Sequence, residues 1–208
     1  IQEVPDVMKK AILAAEDERF YQHGGVDYLS VLRAAIANLT SGSQQGAGTI
    51  TMQVARNFFL TREKTITRKL REVLLAWKIE ANLSKDEILQ LYVNQIFLGQ
   101  RAYGFAAAAQ IYFAKPLKDL NPAEAAMLAG LPKAPSAYNP VTNPKRAKAR
   151  QLYVLRRMHD LRFLTDEEFK EAQNAPLAVG QGLRSTSPTR AEFVAEMARQ
   201  VAFEAWGE

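Results

Sequence analysis

Apolar and polar residues follow one another along most of the chain with the three-to-four-residue spacing of amphipathic helices. No segment has the two-residue alternation of a convincing strand, and the sequence contains no internal repeat and no coiled-coil heptads. The pattern therefore predicts a mainly α protein, with helices over 5–21, 27–40, 49–59, 65–82, 84–96, 103–113, 121–130, 144–163, 165–174 and 189–205.

Helix-start signals support several of these boundaries. Ser84 and Thr165 are each followed three residues later by Glu, which is the pattern of a capping box. Asn121-Pro122 and Asn143-Pro144 each place an N-cap residue before a proline at the first helical position. Pro5 likewise suits a first helical turn.

Three segments are predicted to be loops. Residues 40–48 are rich in Gly, Ser and Gln, 131–144 carry four prolines, and 175–188 are rich in small residues. We therefore divide the chain into a catalytic domain over 1–175 and, over 176–208, a linker with the start of a following segment of a longer protein. No run of about 18 apolar residues is present to span a membrane.

The predicted helix over 65–82 carries one apolar stripe. Its members recur at helical spacing and are expected to be buried: Ile66, Leu70, Val73, Trp77 and Ala81. Glu72 lies off this stripe, within reach of Arg68 and Lys69 one turn earlier. These three residues could form an ordinary ion-pair cluster on the helix surface.

Glu16 occupies an apolar face of the first helix. Met8, Ile12, Glu16 and Phe20 are spaced four apart, so their side chains share one face. A carboxylate between Ile12 and Phe20 is expected to be partly desolvated, which raises its pKa and makes it a better proton acceptor near neutral pH. The alternative is a surface Glu at a frayed helix end, or one that pairs with Arg19.

Composition and charge narrow the class of protein. The chain has 208 residues, is 48% hydrophobic and carries a formal net charge of +5 with a pI near 9.4, which favours an anionic partner. The absence of cysteine excludes disulfides, thiolate metal sites and a Cys nucleophile. The basic segments lack interleaved aromatic residues, so we predict no nucleic-acid partner.

The residues from Glu16 to Gly25 read Glu-Asp-x-x-Phe-x-x-His-x-Gly. This phrase resembles the first signature of the family 51 glycosyltransferases, the peptidoglycan polymerases that occur alone or as the first domain of class A penicillin-binding proteins. The resemblance extends from about Val4 to at least Pro140. It implies that Glu16 is the catalytic base and that Asp17, Phe20 and His23 belong to the substrate site, although His23 by itself favours a structural role that orients the Glu16 corner.

The second and third signatures follow in the expected order. The segment 46–53 reads Gly-Ala-Gly-Thr-Ile-Thr-Met-Gln, and a glycine-rich loop at a helix start suits a phosphate. The chain has Gly48 where the family usually has Ser. The third signature is Arg68-Lys69-x-x-Glu72. Here the resemblance implies that the basic residues face a lipid pyrophosphate and that Glu72 holds a metal ion or the acceptor sugar. The substrate-binding residues so predicted are Gly46, Thr49, Gln53, Arg56, Arg68 and Lys69.

Two further signatures continue the resemblance. The segment 85–94 reads Lys-Asp-Glu-Ile-Leu-Gln-Leu-Tyr-Val-Asn, with Gln90 where Glu is usual. The fifth signature reads Arg-Ala-Tyr-Gly over 101–104 and Tyr-Phe-Ala-Lys over 112–115, with Ala114 where Gly is usual. The stretch 128–140 points to the penicillin-binding-protein branch. The substrate-binding residues that these motifs add are Asn94, Arg101, Tyr103, Gly104 and Lys115.

The resemblance implies a mainly α, lysozyme-like fold with a larger head lobe and a smaller membrane-facing jaw. It implies polymerisation of lipid II into glycan strands, with inversion at the anomeric carbon and release of polyprenyl pyrophosphate. Lipid II, the growing strand, a membrane surface and other cell-wall synthesis proteins are the expected partners. A divalent metal, Mg²⁺ or Mn²⁺, at Glu72 is the only cofactor implied, with no organic cofactor. The expected location is the outer side of the bacterial cell membrane, and the family is the target of moenomycin.

Two other functions compete with this prediction. A lysozyme-like enzyme would cut glycan rather than make it, but the order of the basic motifs argues against one. A degenerate domain that binds lipid II without turnover would accommodate the departures at Gly48, Gln90 and Ala114. The Phe58-Phe59-Leu60 group is either core or an element that dips into a bilayer. The motif set of a transpeptidase is absent, so β-lactams should not acylate the chain.

Overall fold

The computed structural model describes residues 4–41, 48–59 and 66–180. Within these ranges the chain forms nine α-helices, and two 3₁₀ turns lie at Phe20–Gln22 and Leu117–Asp119. The helices are α1 Asp6–Glu16, α2 Tyr28–Ser41, α3 Ile50–Phe59, α4 Ile66–Asn82, α5 Lys85–Gln95, α6 Phe105–Phe113, α7 Pro122–Ala129, α8 Pro144–Asp160 and α9 Asp166–Asn174.

The mainly α prediction is confirmed. The described residues contain no sheet, and extended pairing is limited to an isolated bridge between Phe97 and Tyr103. The helix predicted over 189–205 lies outside the described residues, as do Gly46 and Leu60. None of the described helices is both long and apolar enough to cross a membrane.

Local capping chemistry sets several helix ends. Ser84, Thr165 and Asn121 each accept a hydrogen bond from the backbone N–H three residues later, and each helix closes a capping box. Pro144 takes the first position of α8 as predicted. Asn143 is the N-cap residue of this helix, as predicted, although its side chain makes no cap bond and donates instead to the carbonyl of Ser136.

The first helix is shorter than predicted. It ends at Glu16, where Asp17 leaves the helical conformation, and Phe20 follows in a separate 3₁₀ turn. Phe20 is nevertheless fully buried, as are Met8 and Ile12. The helix is shorter than expected, but the apolar surroundings predicted for Glu16 are present.

The stripe predicted on α4 is wrong. Leu70, Leu74 and Trp77 are 62%, 60% and 44% exposed, whereas Glu72 is 1% exposed and Ala76 is fully buried. On α4, the carboxylate of Glu72 is therefore buried, whereas Leu70 and Trp77 of the predicted apolar stripe face solvent. Apolar periodicity alone assumes that the apolar face is the buried one, and here that assumption fails.

Buried apolar residues form a large cluster and a small one. The large cluster joins α1 with α5, α6, α7 and α8, while the small one consists of Val26, Met52 and Ala76 with Val73 against it. Their unequal sizes agree with the larger and smaller lobes that the resemblance implies. Past the predicted domain end at 175, Leu177 and Val179 still pack on the large cluster.

Candidate active site

Glu16 is the last residue of α1, and its side chain is only 10% exposed. The amide of Gln53, on α3, donates to Oε2 of Glu16 over 2.7 Å, while Oε1 has no hydrogen-bond partner among the described residues. Burial raises the pKa of Glu16, although the Gln53 bond and nearby cations act in the opposite direction. The site thus holds an oriented carboxylate with one buried oxygen free to accept a proton.

Asp17 organises the corner that follows Glu16. Its Oδ2 accepts from the backbone N–H of Ile50, the first residue of α3, and its Oδ1 lies 2.9 Å from Nε2 of His23. The His23 ring packs edge-on to Phe20, with ring centroids 6.3 Å apart. Asp17 therefore ties the end of α1 to the start of α3, and His23 has the orienting position predicted for it.

Thr49 and Gln53 both use their polar groups inside the protein. The Thr49 hydroxyl donates to the carbonyl of Gly25 over 2.6 Å and accepts from the N–H of Met52 over 3.2 Å, which is the bond of an N-cap. Both side chains are buried. Their predicted contact with substrate phosphate stays a prediction; what the contacts here provide is the placement of α3 against Glu16.

The basic motif on α4 lies beside the start of α3. Arg68 and Lys69 contact Glu72, with Nε to Oε1 at 3.3 Å and Nζ to Oε2 at 2.8 Å. A Cβ atom added to Gly48 would lie 3.9 Å from Nζ of Lys69. The second and third signatures, separated in sequence, therefore meet in space, with Lys69 half-exposed and able to face a ligand.

The surroundings of Glu72 fit an ion-pair cluster better than a metal site. Each carboxylate oxygen already faces a cation, from Arg68 or Lys69. Among the described residues, no three or more His, Cys, Asp or Glu side chains gather where they could hold an ion. Divalent ions prefer several oxygen ligands, so a metal at Glu72 stays a prediction and no step below depends on it.

A cavity of about 350 Å³ borders Glu16. It lies between the end of α1, the beginnings of α2 and α3, and α8. Two arginines from different helices line it, Arg33 and Arg157, and both contact the carboxylate of Glu18. The cavity offers space for a polar group of substrate next to the carboxylate, and its other lining residues include Asp17, Asp27, Ser30, Gly48, Thr49 and Tyr153.

The fifth signature forms a tight turn after α5. Tyr103 is 61% exposed, and its ring lies 5.1 Å from that of Phe97, which is 40% exposed. Arg101 is exposed in the turn with φ 59°. At Gly104 φ is 83°, and an added Cβ would be 2.6 Å from the backbone oxygen of Asn94. Gly104 therefore has a structural role, and Arg101 and Tyr103 remain accessible to a ligand.

The ammonium of Lys115 bonds to Glu124. The two atoms Nζ and Oε1 are 2.7 Å apart, and Glu124 also belongs to the capping box of α7 with Asn121. Ala114, just before it, has the left-handed conformation with φ 54° and ψ 35° at the end of α6. That conformation favours glycine, which explains why the family usually has Gly here.

Sequence reasoning missed two buried groups near Glu16. Arg150 on α8 is 8% exposed, and its Nη2 lies 3.8 Å from Oε1 of Glu16. Tyr92 on α5 is almost fully buried, and its hydroxyl has no hydrogen-bond partner among the described residues. Burial, followed by the charge of Glu16, raises the pKa of Tyr92. The sequence does contain one indication of a buried Arg150: it lies on the same face of α8 as the apolar residues Ala147 and Val154.

Comparison with known proteins gives one family. The family model described as transglycosylase matches residues 1–159 of the chain. The chain is 58% identical over its whole length to penicillin-binding protein 1A of Neisseria meningitidis, and spans 26% of the length of that relative. It is 59% identical, over 85% of its own length and 77% of the other, to a Cupriavidus necator protein whose name describes it as a transglycosylase.

One solved structure is also similar. Penicillin-binding protein 1A from Haemophilus influenzae is 36% identical, with a TM-score of 0.49, and the match covers 76% of this chain and 20% of that one.

Proposed function

The chain belongs to the transglycosylase family, and from that premise we propose that it is a peptidoglycan glycosyltransferase that polymerises lipid II. The observation that carries the proposal is the buried carboxylate of Glu16, held by Gln53 on the same helix whose start meets Lys69. A base and a cationic cluster are thus joined through α3. A sugar transfer that expels a pyrophosphate needs both.

Glu16 supplies the base. The 4-hydroxyl of the acceptor sugar is a poor nucleophile until its proton is removed. Within the part of the chain that the structure describes, Oε1 of Glu16 makes no hydrogen bond. Gln53 fixes the other oxygen, so the carboxylate keeps one orientation. Direct attack of the deprotonated hydroxyl on the anomeric carbon inverts that centre from α to β.

The basic residues stabilise the leaving group. Negative charge builds on the departing polyprenyl pyrophosphate as the glycosidic bond forms, and positively charged groups fixed nearby lower the energy of that state. Lys69 and Arg68 stand in the cluster beside Gly48, and Arg56 on α3 is close enough to influence the pKa of Glu16. A hydrolase that acts on neutral glycosidic bonds has no need of this cluster.

Exposed apolar side chains on α2 and on α4 support a membrane location for the reaction. Leu39 is 87% exposed and Leu32 58%, and Arg71 and Lys78 lie among the apolar residues of α4. Large apolar side chains with basic neighbours suit an interface with anionic lipid. The exposed large apolar residues are Tyr28, Leu29, Val31, Leu32, Ile36 and Leu39 on α2 and Leu70, Leu74 and Trp77 on α4.

Polymerisation of lipid II in detergent tests the activity. The parent chain should form glycan polymer, Glu16→Gln should lower the rate by about 10²–10⁴-fold, and moenomycin should block the parent. Glu171→Gln removes an exposed carboxylate on α9 and is the matched control. A folded parent that makes no polymer contradicts the proposal.

The same assay separates the two competing functions. A glycan-cleaving enzyme would shorten preformed polymer without consuming lipid II. A degenerate domain would bind moenomycin or lipid II without turnover.

Binding to vesicles of anionic lipid tests the exposed apolar residues of α2 and α4. The double substitution Leu32→Glu with Leu74→Glu should abolish binding to the vesicles, and unchanged binding would contradict a membrane-facing role.

A further inference from the structure

Arg150 lies at the C-terminal end of α1, although it belongs to α8. Its Nη2 donates to the carbonyl of Ala15 over 3.5 Å and stands 3.8 Å from Oε1 of Glu16, while its Nε donates to the carbonyl of Gly130 over 3.4 Å. The last carbonyls of a helix lack partners within the helix and carry its negative dipole end, which favours a cation. The guanidinium thus contacts both the end of α1 and its terminal carboxylate.

The surrounding residues restrict the side chain of Arg150 to this place. Its guanidinium stacks on the ring of Tyr153 at 4.6 Å, and the ring of Tyr138 lies 5.8 Å away. Gly130 leaves room for the stem, since a Cβ there would come within 2.8 Å of Cγ of Arg150. A buried charge is tolerated where a partner balances it, and the carboxylate of Glu16 is that partner.

We propose that Arg150 is a positioning residue for the reaction, which keeps the Glu16 carboxylate ionised and holds it in place at the end of α1. This inference rests on the proposed function of Glu16 as base. It assigns Arg150 a task different from that of Arg68 and Lys69, because Arg150 contacts the base and the end of α1 rather than the cluster beside Gly48.

Several charged or titratable groups act on Glu16 from the elements around it. They are Arg150 from α8, Lys133 from the turn after α7 and Arg56 from α3. Two further titratable groups lie close by: Tyr92 on α5, whose hydroxyl is affected by the charge of Glu16, and Asp17, the next residue in the chain. Burial raises the pKa of Glu16, the Gln53 bond lowers it, and among the cations Arg150 lowers it most. Removal of Arg150 should therefore raise the pKa of Glu16 more than removal of either other cation.

The first test is the pH dependence of lipid II polymerisation by Arg150→Met. The acidic limb of kcat/KM should move to higher pH by about 1–3 units, with kcat reduced and KM little changed. Arg150→Lys keeps the positive charge, so its acidic limb should lie between those of Arg150→Met and the parent. Arg146→Met, exposed one turn earlier on α8, is the control and should match the parent.

The second test does not need activity. Carbon-13 NMR of labelled Glu side chains, with the Glu16 signal assigned through Glu16→Gln, follows ionisation of this carboxyl directly in the 208-residue chain. Arg150→Met should raise its midpoint in the same direction as the kinetic limb. If the parent makes no polymer, the proposed function fails, and the NMR titration still decides whether Arg150 controls the ionisation of Glu16.

A folded Arg150→Met whose NMR midpoint and acidic limb equal those of the parent would overturn the proposal. If that variant does not fold, Arg150→Lys and Gly130→Ala decide the question, because both retain a charge but displace it. Each should lower kcat at constant KM and shift the Glu16 midpoint. Parent-like kcat and midpoint in both would overturn the proposal equally.

Discussion

The side-chain amide of Gln53 donates a 2.7 Å hydrogen bond to Oε2 of Glu16, from a residue 37 positions further along the chain. Gln53 lies on α3, and the backbone N–H of the first residue of that helix, Ile50, donates to the carboxylate of Asp17. The two acids that open the first signature therefore have separate tasks. Glu16 carries the carboxylate for chemistry, and Asp17 places the helix that orients it.

Loss of the Gln53 donor should weaken the base. Gln53→Met keeps a side chain of similar length but removes the hydrogen bond, so the Glu16 carboxylate loses both stabilisation and orientation. We expect kcat/KM for lipid II to fall by about tenfold or more near neutral pH. Initial polymerisation rates measure this, with Gln173→Met on α9 as control. A rate equal to that of the parent would show that the bond is unimportant.

The pH profile of the parent should reveal a weakened acid at Glu16. Because burial raises its pKa above the ordinary 4.5, activity should decline on acidification with a midpoint above 4.5. The folded state then holds this proton more tightly than the unfolded chain. The contribution of Glu16 to the free energy of unfolding is therefore complete below pH 4.5 and is lost as pH rises through the folded pKa.

Two measurements check that statement. The pH dependence of kcat/KM gives the kinetic midpoint, and the NMR titration of the Glu16 carboxyl gives the midpoint for the folded chain. Agreement of both above 4.5 is expected. An acidic limb at the value of an exposed glutamate would contradict the desolvation of this residue.

Gly48→Ser should be accepted and should strengthen substrate binding. Its φ lies outside the left-handed region, and among the described residues the nearest atom to an added Cβ is Nζ of Lys69 at 3.9 Å. The substitution restricts the unfolded chain, which stabilises the fold by about 0.5–1 kcal/mol. Its hydroxyl adds a hydrogen-bonding group beside Lys69, so KM for lipid II should fall a few-fold. Gly48→Ala has the same backbone effect without the hydroxyl, and equal KM values for the two variants would refute the role of that group.

Gly104→Ala should destabilise the domain strongly. The residue has φ 83° and ψ 155°, and the new Cβ would come within 2.6 Å of the Asn94 oxygen. A cost of about 2–3 kcal/mol in free energy of unfolding is expected. Gly24→Ala is the matched control, because no atom of the described residues outside its own chain neighbours lies within 4 Å of its added Cβ. Chemical denaturation of both variants measures the difference, and equal stabilities would contradict the crowding at Gly104.

Ala114→Gly should stabilise the domain. Ala114 has φ 54° at the end of α6, a left-handed conformation in which an L side chain is strained and glycine is not. The expected gain is about 1 kcal/mol in the free energy of unfolding, without loss of polymerisation activity. Thermal or denaturant unfolding checks it, and a lower stability than the parent would show that the methyl group contributes packing that exceeds the strain.

Local signals in the sequence predicted the helices well. The capping boxes at Ser84 and Thr165 begin helices where expected, because a cap depends on residues within one turn. The desolvation of Glu16 also followed from local spacing, since Ile12 and Met8 on its own helix are buried. The resemblance pointed to the family, which the comparisons then showed for residues 1–159.

The orientation of α4 could not be read from its own residues. Its apolar stripe was expected inside, yet Leu70 and Trp77 are exposed and Glu72 is buried. Periodicity shows that a helix has two faces but does not identify what covers each one. Where the proposed substrate lies in a membrane, exposed apolar residues can contact lipid. The apolar face of such a helix is then the outer face rather than the buried one.

The sequence by itself determined the helical class, most helix boundaries and the acid at position 16, because each depends on contacts within one or two turns. Only the tertiary structure decided which groups meet that acid. Gln53 and Arg150 reach Glu16 from helices that lie 37 and 134 residues away along the chain. No local pattern encodes such distances, since they result from how α1 packs against α7 and α8 and how Asp17 docks the start of α3.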